Sequence, residues 1–518
     1  MGGKYVLDTL GCKVNQYESQ QLREVLESHG LRPADSGEVP DIAVLNTCAV
    51  TASAISKSRQ AARNAAHGGR TATFVVGCGA SAQPGEFARI NGVQAVWGHD
   101  RDVLALLSGW ISERGLSAHA PEANRQRMNA FAGSPSAMHN REDNLWMKPA
   151  VETGDGPLPS SPKSDLPLPI VSASTQPVKS AEIFGDRIQS FEGHGRAFLK
   201  VQDGCDANCS YCIIPRLRTR LRSKPIDVAV AEAAALVRQE YREIVVTGIF
   251  LGAYGRPTAV RRRFHRGPSP LSRLVHALAG VEGLLRLRLS SLEPGDVDDS
   301  LLEIMATNPV CVPHLHLPLQ SGSERILRLM NRQYRIDSFL RMVERVRTVW
   351  DRPAISTDII VGFPGESDAD FEESIRIAEW AEFCQIHAFP FSPREGTPAF
   401  RRCSDFVHSW TVHERMRRLT EIARISSERY RRRLLGLTER VIVERDRNNE
   451  AGSSNSRRWR HGRIDRYVDV HFESMQTLRP GDVAKVRIDH VTAMRTFATQ
   501  MLGDGRSYSL FVLPHEAA

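Results

Sequence analysis

The chain has 518 residues, of which 41% are hydrophobic and 25% charged, as is ordinary for a soluble protein of two to four domains. No apolar run reaches the roughly 18 residues that a membrane helix needs, and the N-terminus MGGKYVLDTLGC predicts a strand rather than a signal sequence. Nine cysteines in so long a chain do not form the pattern of a secreted disulfide framework, so a reducing, cytoplasmic location is expected.

The net charge of +8 arises in the C-terminal part of the chain. Residues 401–518 contain 23 Lys and Arg against 15 Asp and Glu, whereas the first 400 residues are balanced. Cationic surfaces gain by releasing counterions from nucleic acid, so this region favours a phosphate-rich partner. A solvated basic helix around residues 429–433 is the alternative interpretation.

Residues 4–100 alternate short apolar runs with helical stretches, which predicts an open α/β domain with a parallel sheet. Cys12, Cys48 and Cys78 each come directly after a predicted strand. Such sheets bind ligands outside the carboxyl ends of their strands, so the three thiols are expected to converge. Together they favour a shared iron–sulfur cluster, although each cysteine alone could be a small buried apolar residue.

The composition then changes to Pro, Ser, Gly and Asn, as in the stretch GDGPLPSSPKSDLPLP. Too few apolar residues remain there to form a core. We therefore predict a linker over residues 111–190 that separates two domains.

Three further cysteines, Cys205, Cys209 and Cys212, lie in the short stretch CDANCSYC. Cysteines at such close spacing are typical ligands of an iron–sulfur cluster, and three of them would leave one iron of a four-iron cluster open. Structural zinc is the alternative, but it normally needs a fourth Cys or His. His194 lies at the wrong spacing and the next cysteine is Cys311, so the pattern favours the cluster.

From residue 196, six apolar runs recur with helices between them, which predicts a partial (β/α)6 barrel of the TIM type. The chemistry of such barrels lies at the C-terminal ends of the strands, where the cysteine loop follows the first strand. Polar residues at this face predict a pocket for a polar cofactor: Gly248, Ser290, Ser291, Glu293, Gln320, Ser321, Asp358, Ser392 and Arg394. Each of them alone could equally be a helix cap or part of a turn.

The arginine-rich stretch 256–270 interrupts the barrel after its second strand and is interpreted as a surface loop, with an RNA contact as the alternative. After a basic helix, short strands predict a small β-barrel over residues 436–503 that is similar to oligonucleotide-binding barrels. Its expected RNA face includes Arg460, Arg463, Arg466 and Tyr467. A barrel that only buttresses the catalytic domain is the alternative.

The stretches that carry a family resemblance follow one another along nearly the whole chain. They are TLGCKVNQYES (9–19), NTCAVT (46–51), the cysteine loop, SSLEP (290–294), LPLQSGS (317–323), TDIIVGFPGE (357–366) and FSPREGTP (391–398). Together they resemble the tRNA methylthiotransferases of the radical S-adenosylmethionine superfamily. The resemblance implies a methylthiotransferase domain over 2–110, a radical core over 191–425 and an RNA-binding barrel similar to a TRAM domain over 436–503.

The resemblance also implies the cofactors, which are two 4Fe-4S clusters and S-adenosyl-L-methionine. One cluster would be held by Cys12, Cys48 and Cys78, and the cluster that chelates S-adenosylmethionine by Cys205, Cys209 and Cys212. Further cofactor contacts would come from Tyr211, Gly248, Ser291, Glu293, Gln320 and Asp358. The implied partners are a tRNA anticodon loop, a low-potential electron donor and a sulfur donor, without a membrane.

Within the family, GCKVNQYES resembles the branch that acts on N6-threonylcarbamoyladenosine, since the isopentenyladenosine branch has Gln-Met-Asn at Lys13-Val14-Asn15. The implied reaction is methylthiolation of C2 of that nucleoside at tRNA position 37. Three alternatives stay open: isopentenyladenosine tRNA, an aspartate of a ribosomal protein, or a non-catalytic iron–sulfur RNA-binding protein.

Overall fold

The computed structural model describes residues 3–66, 71–116, 188, 191, 195–260, 268–444, 458–474 and 476–501. Most of the predicted linker and the middle of the arginine-rich stretch, residues 261–267, lie outside the described residues. Within these ranges no helix combines the length and the apolar character needed to span a membrane. The prediction of an α/β chain with three structural units is confirmed.

The N-terminal unit is a parallel five-stranded sheet, as predicted. Its strands are β1 (Lys4–Thr9), β2 (Arg32–Pro33), β3 (Ile42–Thr47), β4 (Ala72–Val76) and β5 (Val93–Trp97), in the order β2-β1-β3-β4-β5. Its helices are α1 (Lys13–Ser28), α2 (Ala52–Ala66), α3 (Gly77–Ala82), α4 (Pro84–Ala88) and α5 (Val103–Glu113). The central strand β3 is buried along its whole length, because helices cover both faces of a parallel sheet.

The central unit contains six parallel strands that are neighbours in chain order. They are β6 (Ala197–Asp203), β8 (Glu243–Gly248), β9 (Arg286–Leu289), β10 (His314–His316), β11 (Ala354–Val361) and β12 (Gln385–Pro390), while β7 (Arg222–Ser223) pairs antiparallel with β6. An isolated bridge between Leu287 and Cys311 joins the sheet β7-β6-β8-β9 to the sheet β10-β11-β12. This is the predicted repeat of six strands.

The helices that connect these strands are α6 (Ile214–Leu217), α7 (Ile226–Arg238), α8 (Pro270–Ala279), α9 (Asp299–Thr307), α10 (Glu324–Leu329), α11 (Ile336–Val349) and α12 (Asp368–Ala381). Their apolar faces follow helical spacing. In α11, for example, Phe339, Met342, Val343 and Val346 are buried at positions i, i+3, i+4 and i+7. The sheet therefore has a continuous apolar core on its helical side.

A 24-residue helix, α13 (Ser409–Arg432), leads into the C-terminal unit. Five strands close a barrel in the order β13-β14-β15-β17-β16: β13 (Thr438–Val443), β14 (Arg458–Ile464), β15 (Asp469–Ser474), β16 (Val483–Val491) and β17 (Thr496–Met501). The parallel pairing of β15 with β17 matches a five-stranded Greek-key barrel of the oligonucleotide-binding type.

Buried charged side chains connect the C-terminal barrel to the central sheet. Arg286 and Arg288 on β9 both contact Glu243, and Arg286 also pairs with Asp465 of the C-terminal barrel. Tyr467 adopts a left-handed backbone conformation with φ of 62° and stacks on His314 at 4.4 Å between ring centroids. Charged groups this deeply buried are stable only when paired, so the two units have one defined relative position.

Candidate active site

The three N-terminal cysteines all lie at the carboxyl edge of the parallel sheet. Cys12 precedes α1, Cys48 follows β3, and Cys78 is the second residue of α3, directly after β4. Gly11 brings the first two loops together, because a side chain there would lie 3.2 Å from Cys48 Cβ. All nine cysteines of the chain are free thiols, of which Cys12 is exposed while Cys48 and Cys78 are buried.

A polar network holds the three loops in place. The side-chain amide of Asn15 donates to Asn46 Oδ1 at 3.2 Å and to the carbonyl of Thr47 at 3.0 Å, which joins the first loop to the second. The Thr47 hydroxyl donates to the carbonyl of Val76 at 2.5 Å and accepts from the N–H of Ala80 at 3.1 Å, which joins the second loop to the third. These hydrogen bonds run directly from loop to loop, so they hold the three loops together in this arrangement.

The second set of thiols lies on the loop that follows β6. Gly204 begins this loop with φ of 77°, and a side chain there would collide with the carbonyl oxygen of Arg220, so only glycine fits. The N–H of Ala207 donates to Cys205 Sγ at 3.4 Å, a contact that stabilises a thiolate. Cys205, Cys209 and Cys212 are all partly accessible.

Arg332 supplies a buried positive charge beside this loop. Its Nη1 donates to Cys209 Sγ at 3.1 Å and to the hydroxyl of Tyr211 at 3.2 Å, and its Nη2 donates to Glu293 Oε1 at 2.5 Å. The side chains of Arg332 and Glu293 are both only 6% exposed. The guanidinium therefore places a positive charge in contact with one of the three sulfurs of this loop.

The spacing of the thiols fits a multi-iron cluster better than a single zinc ion. Two thiolates on one tetrahedral zinc lie about 3.8 Å apart, since each Zn–S bond is about 2.3 Å. Within the described ranges, one group of at least three His, Cys, Asp or Glu side chains has its ligand atoms within 4.8 Å of one another, and it contains no cysteine. In a four-iron cluster each sulfur ligates a different iron, which spreads the ligands further apart.

The two thiol sets face each other across the boundary between the units. Ile214 and Leu217, which follow Cys212 in the chain by two and five residues, pack against the buried cluster that contains Cys78. Burial raises the pKa of both Cys78 and Cys212 to about 12, and the charge of Cys78 contributes to raising the pKa of Cys212. The loop of Cys48 also contacts the central unit, since the Ala52 N–H donates to Ser392 Oγ at 2.9 Å.

A buried network of four charges fixes this arrangement. Arg218 donates to Glu18 of α1 through both terminal nitrogens, at 2.7 and 2.8 Å, and to Asp203 at 2.9 Å. Lys200 donates to Glu18 at 2.7 Å and to Asp203 at 2.8 Å. Burial alone would raise the pKa of Glu18, but Arg218 and Lys200 outweigh it and lower that pKa to about 2. The network therefore remains ionised and joins the N-terminal unit to the central unit.

Comparison with known proteins identifies the N-terminal unit and the central unit as two separate family domains. Residues 4–98 match the family model "Uncharacterized protein family UPF0004", and residues 199–378 match the model "Radical SAM superfamily". The chain is similar to the threonylcarbamoyladenosine tRNA methylthiotransferase MtaB of Chlamydia pneumoniae, with 34% identity over 94% of this chain and 96% of the relative. The protein of the same name from Thermotoga maritima is 34% identical over 85% of this chain and 86% of its own.

The chain belongs to the radical S-adenosylmethionine tRNA methylthiotransferase family. The family resemblance found in the sequence is thereby confirmed, and membership implies one 4Fe-4S cluster and S-adenosylmethionine. A tRNA-2-methylthio-N(6)-dimethylallyladenosine synthase of Frankia alni is also 34% identical, over 95% of this chain and 88% of the relative. The identities therefore leave open which modified adenosine this methylthiotransferase accepts.

The predicted cofactor contacts of this methylthiotransferase fall into two groups. Tyr211 and Glu293 meet at Arg332 beside the cysteine loop, and Gly248 lies at the end of β8, where it allows the close approach of Gln202. Ser291 is exposed and lies two residues after the end of β9. Their roles as cofactor contacts remain predictions.

The other two contacts are Gln320, in the segment after β10, and Asp358 on β11. Gln320 has a left-handed φ of 62° and pairs with β11, where its N–H donates to the Asp358 carbonyl at 2.8 Å. The Asp358 carboxylate lies 3.2 Å from His316 Nε2, so it already has an imidazole partner. These roles also remain predictions.

Two groups at the site of this methylthiotransferase were missed in the sequence. Arg332 lies 123 residues after Cys209, in a stretch without a motif. His99 follows β5, and its Nε2 lies 3.4 Å from Cys78 Sγ. A fourth loop at the carboxyl edge of the parallel sheet was the available signal for His99, because that edge already carried three predicted ligands.

Proposed function

We propose that the protein transfers a methylthio group to C2 of N6-threonylcarbamoyladenosine at position 37 of tRNA. The observation that carries this proposal is that two three-thiol sets lie on separate units of the chain at one boundary, where Ile214, two residues after Cys212, packs against the buried cluster that contains Cys78. A radical enzyme that only cleaved its cofactor would need one set. Two sets facing each other suit a reaction that must both activate a C–H bond and deliver sulfur.

In this proposal, Cys205, Cys209 and Cys212 hold the cluster that binds S-adenosylmethionine, and Cys12, Cys48 and Cys78 hold the second cluster. When bound, these groups supply a carbon-centred radical and a transferable sulfur. The chain's own residues contribute orientation: Arg332 donates a charged hydrogen bond to the sulfur of Cys209, and the Asn15 and Thr47 hydrogen bonds hold the three N-terminal loops.

The choice of nucleoside rests on the resemblance of GCKVNQYES and on the names of two relatives, which both act on threonylcarbamoyladenosine. The Frankia alni relative makes dimethylallyladenosine the second candidate. We also infer that the tRNA anticodon loop binds in a single-stranded form with its bases unstacked and splayed apart. The reacting carbon must leave the base stack before the enzyme can reach it. An electron donor and a sulfur donor complete the set of inferred partners.

The test is a mass analysis of tRNA nucleosides from a strain that lacks the gene, with and without a plasmid copy. We expect 2-methylthio-N6-threonylcarbamoyladenosine to disappear, its unmethylthiolated precursor to accumulate, and the plasmid to reverse both. Loss of the methylthiolated isopentenyl nucleoside instead would identify the second candidate. If neither nucleoside changes, a ribosomal-protein aspartate or a non-catalytic role would replace the proposal.

A further inference from the structure

A second convergence of ligating side chains lies on the strands β10, β11 and β12 and contains none of the six cysteines. In the register of this sheet His316 lies opposite Ser356, and Asp358 lies opposite His387. Alternate residues of a strand share a face, so the side chains of His316, Ser356, Asp358 and His387 are on the same face of the sheet. One ligand atom from each of His316, Asp358 and His387 lies within 4.8 Å of the other two.

The distances suit a small cation. His316 Nε2 lies 3.2 Å from Asp358 Oδ2, and the centroids of the His316 and His387 rings are 5.8 Å apart. Nitrogen and oxygen ligands of a tetrahedral zinc ion at about 2.0–2.1 Å are separated by about 3.3 Å. The distance between His316 Nε2 and Asp358 Oδ2 therefore already matches the separation of two ligand atoms on a bound ion.

The His316 ring is oriented from behind by hydrogen bonds. Its Nδ1 lies 2.9 Å from the hydroxyl oxygen of Ser356, and this oxygen is also 3.0 Å from His314 Nε2. His314 in turn is buried and stacks on Tyr467. Histidine ligands are typically held in this way, with one ring nitrogen on a fixed partner and the other left for the metal.

A positive charge lies close to the group. Burial lowers the pKa of His387, and the charge of nearby Lys13 lowers it further. That charge opposes a divalent cation, so we expect weaker binding than at a closed structural zinc site.

We propose that His316, Asp358 and His387 form a binding site for one divalent first-row cation of the zinc and manganese class. Two imidazoles and one carboxylate leave coordination positions open to water, as in catalytic rather than structural sites. This assigns to Asp358 a role different from the cofactor contact that the sequence predicts. The site uses none of the six cysteines, so it stands or falls separately from the proposed methylthiolation.

Manganese binding measures the site without interference from the clusters. The cluster-loaded enzyme, with its clusters in the oxidised diamagnetic state, is titrated with MnCl2, and free Mn²⁺ is counted by its electron paramagnetic resonance signal. We expect one Mn²⁺ per chain, lost in Asp358→Asn and His387→Gln. Ser356→Ala should weaken binding by about 10- to 100-fold, because it removes the partner that orients His316.

The control variant is His461→Gln. His461 also neighbours a second histidine, His471, at 6.1 Å between ring centroids, and a carboxylate, Glu444, at 4.0 Å. It does not belong to the convergent group, so its substitution should leave Mn²⁺ binding unchanged. Absence of binding in the wild-type enzyme, or equal binding in Asp358→Asn, would overturn the proposal and leave the three side chains as a hydrogen-bonded group.

A second measurement needs no variant and therefore does not depend on how the variants fold. Zinc X-ray absorption of the cluster-loaded wild-type enzyme, with one equivalent of Zn²⁺, should show nitrogen and oxygen neighbours at about 2.0–2.1 Å and no sulfur. A sulfur shell at about 2.3 Å would place the zinc on cysteines and contradict the proposal.

Discussion

The substitution Arg218→Met tests whether the buried charge network positions the two thiol sets. Arg218 and Lys200 neutralise Glu18 and Asp203, and the side chains of the two cations are only 2% and 3% exposed. Removing the guanidinium leaves two carboxylates with one ammonium, which is one uncompensated charge in a buried site. Breaking a buried pair in this way costs about 3–5 kcal/mol.

The expected functional effect is selective. α1 begins at the residue after Cys12 and contacts the central unit through Glu18. Loosening this contact therefore displaces the N-terminal thiols relative to the central unit. A misplacement of about 1 Å can cost about 100-fold in rate. We therefore expect Arg218→Met to form 5′-deoxyadenosine from S-adenosylmethionine at close to the wild-type rate, while methylthiolated nucleoside falls by about that factor.

Two controls distinguish this reasoning from general destabilisation. Arg418→Met removes an ion pair with Glu372 in which both side chains are 45% exposed, and should cost less than about 1 kcal/mol. The double variant Glu18→Met with Arg218→Met leaves Lys200 paired with Asp203 and should regain part of the stability lost in Arg218→Met. Equal losses in the Arg218 and Arg418 variants, measured as thermal midpoints, would refute the argument from buried charge.

Three further outcomes are expected. Replacing Cys12, Cys48 and Cys78 together with alanine should halve the iron per reconstituted chain yet retain cofactor cleavage; full iron would contradict a second cluster. Arg332→Met removes a charged hydrogen bond of about 1.5–3 kcal/mol, so 5′-deoxyadenosine formation should fall by about tenfold or more at unchanged iron content, and an unchanged rate would exclude this role. Because the pKa of Glu18 is lowered to about 2 in the fold, its contribution to stability is lost as pH falls. The thermal midpoint of the apoprotein should therefore drop more than that of Glu18→Gln between about pH 5 and about pH 3, and parallel curves would argue against the pair.

Strand-end reasoning was sufficient to predict the positions of the three N-terminal cysteines and of the loop that carries the other three. Apolar runs mark parallel strands, and a residue directly after such a run must lie at the carboxyl edge of the sheet. Arg332 could not be found in this way, since its contact with Cys209 depends on how the segment after α10 folds back over the loop. A buried arginine and a solvated arginine look the same in a sequence.

The basic C-terminal barrel shows the same limit. Arg466 donates to the carbonyls of Asp351 and Arg352, both at 2.6 Å, and Tyr467 stacks on His314. These two residues of the expected RNA face therefore dock the barrel to the central unit, as the buttressing alternative describes. Charge counting predicted the excess of arginine, but it could not separate arginines that bind carbonyl groups from those that face solvent.

The polar character of the contact between α1 and the central unit has a physical reason. Tyr17 and Glu18 are adjacent on the helix, so they point about 100° apart around its axis. The Tyr17 hydroxyl donates to Glu232 at 2.8 Å, while Glu18 accepts from Arg218 and Lys200. Apolar contacts alone would tolerate sliding and rotation, since they are not directional. Two directional anchors on one turn fix both, and Cys12 lies directly before the first residue of the same helix, so its sulfur has a defined position relative to the central unit.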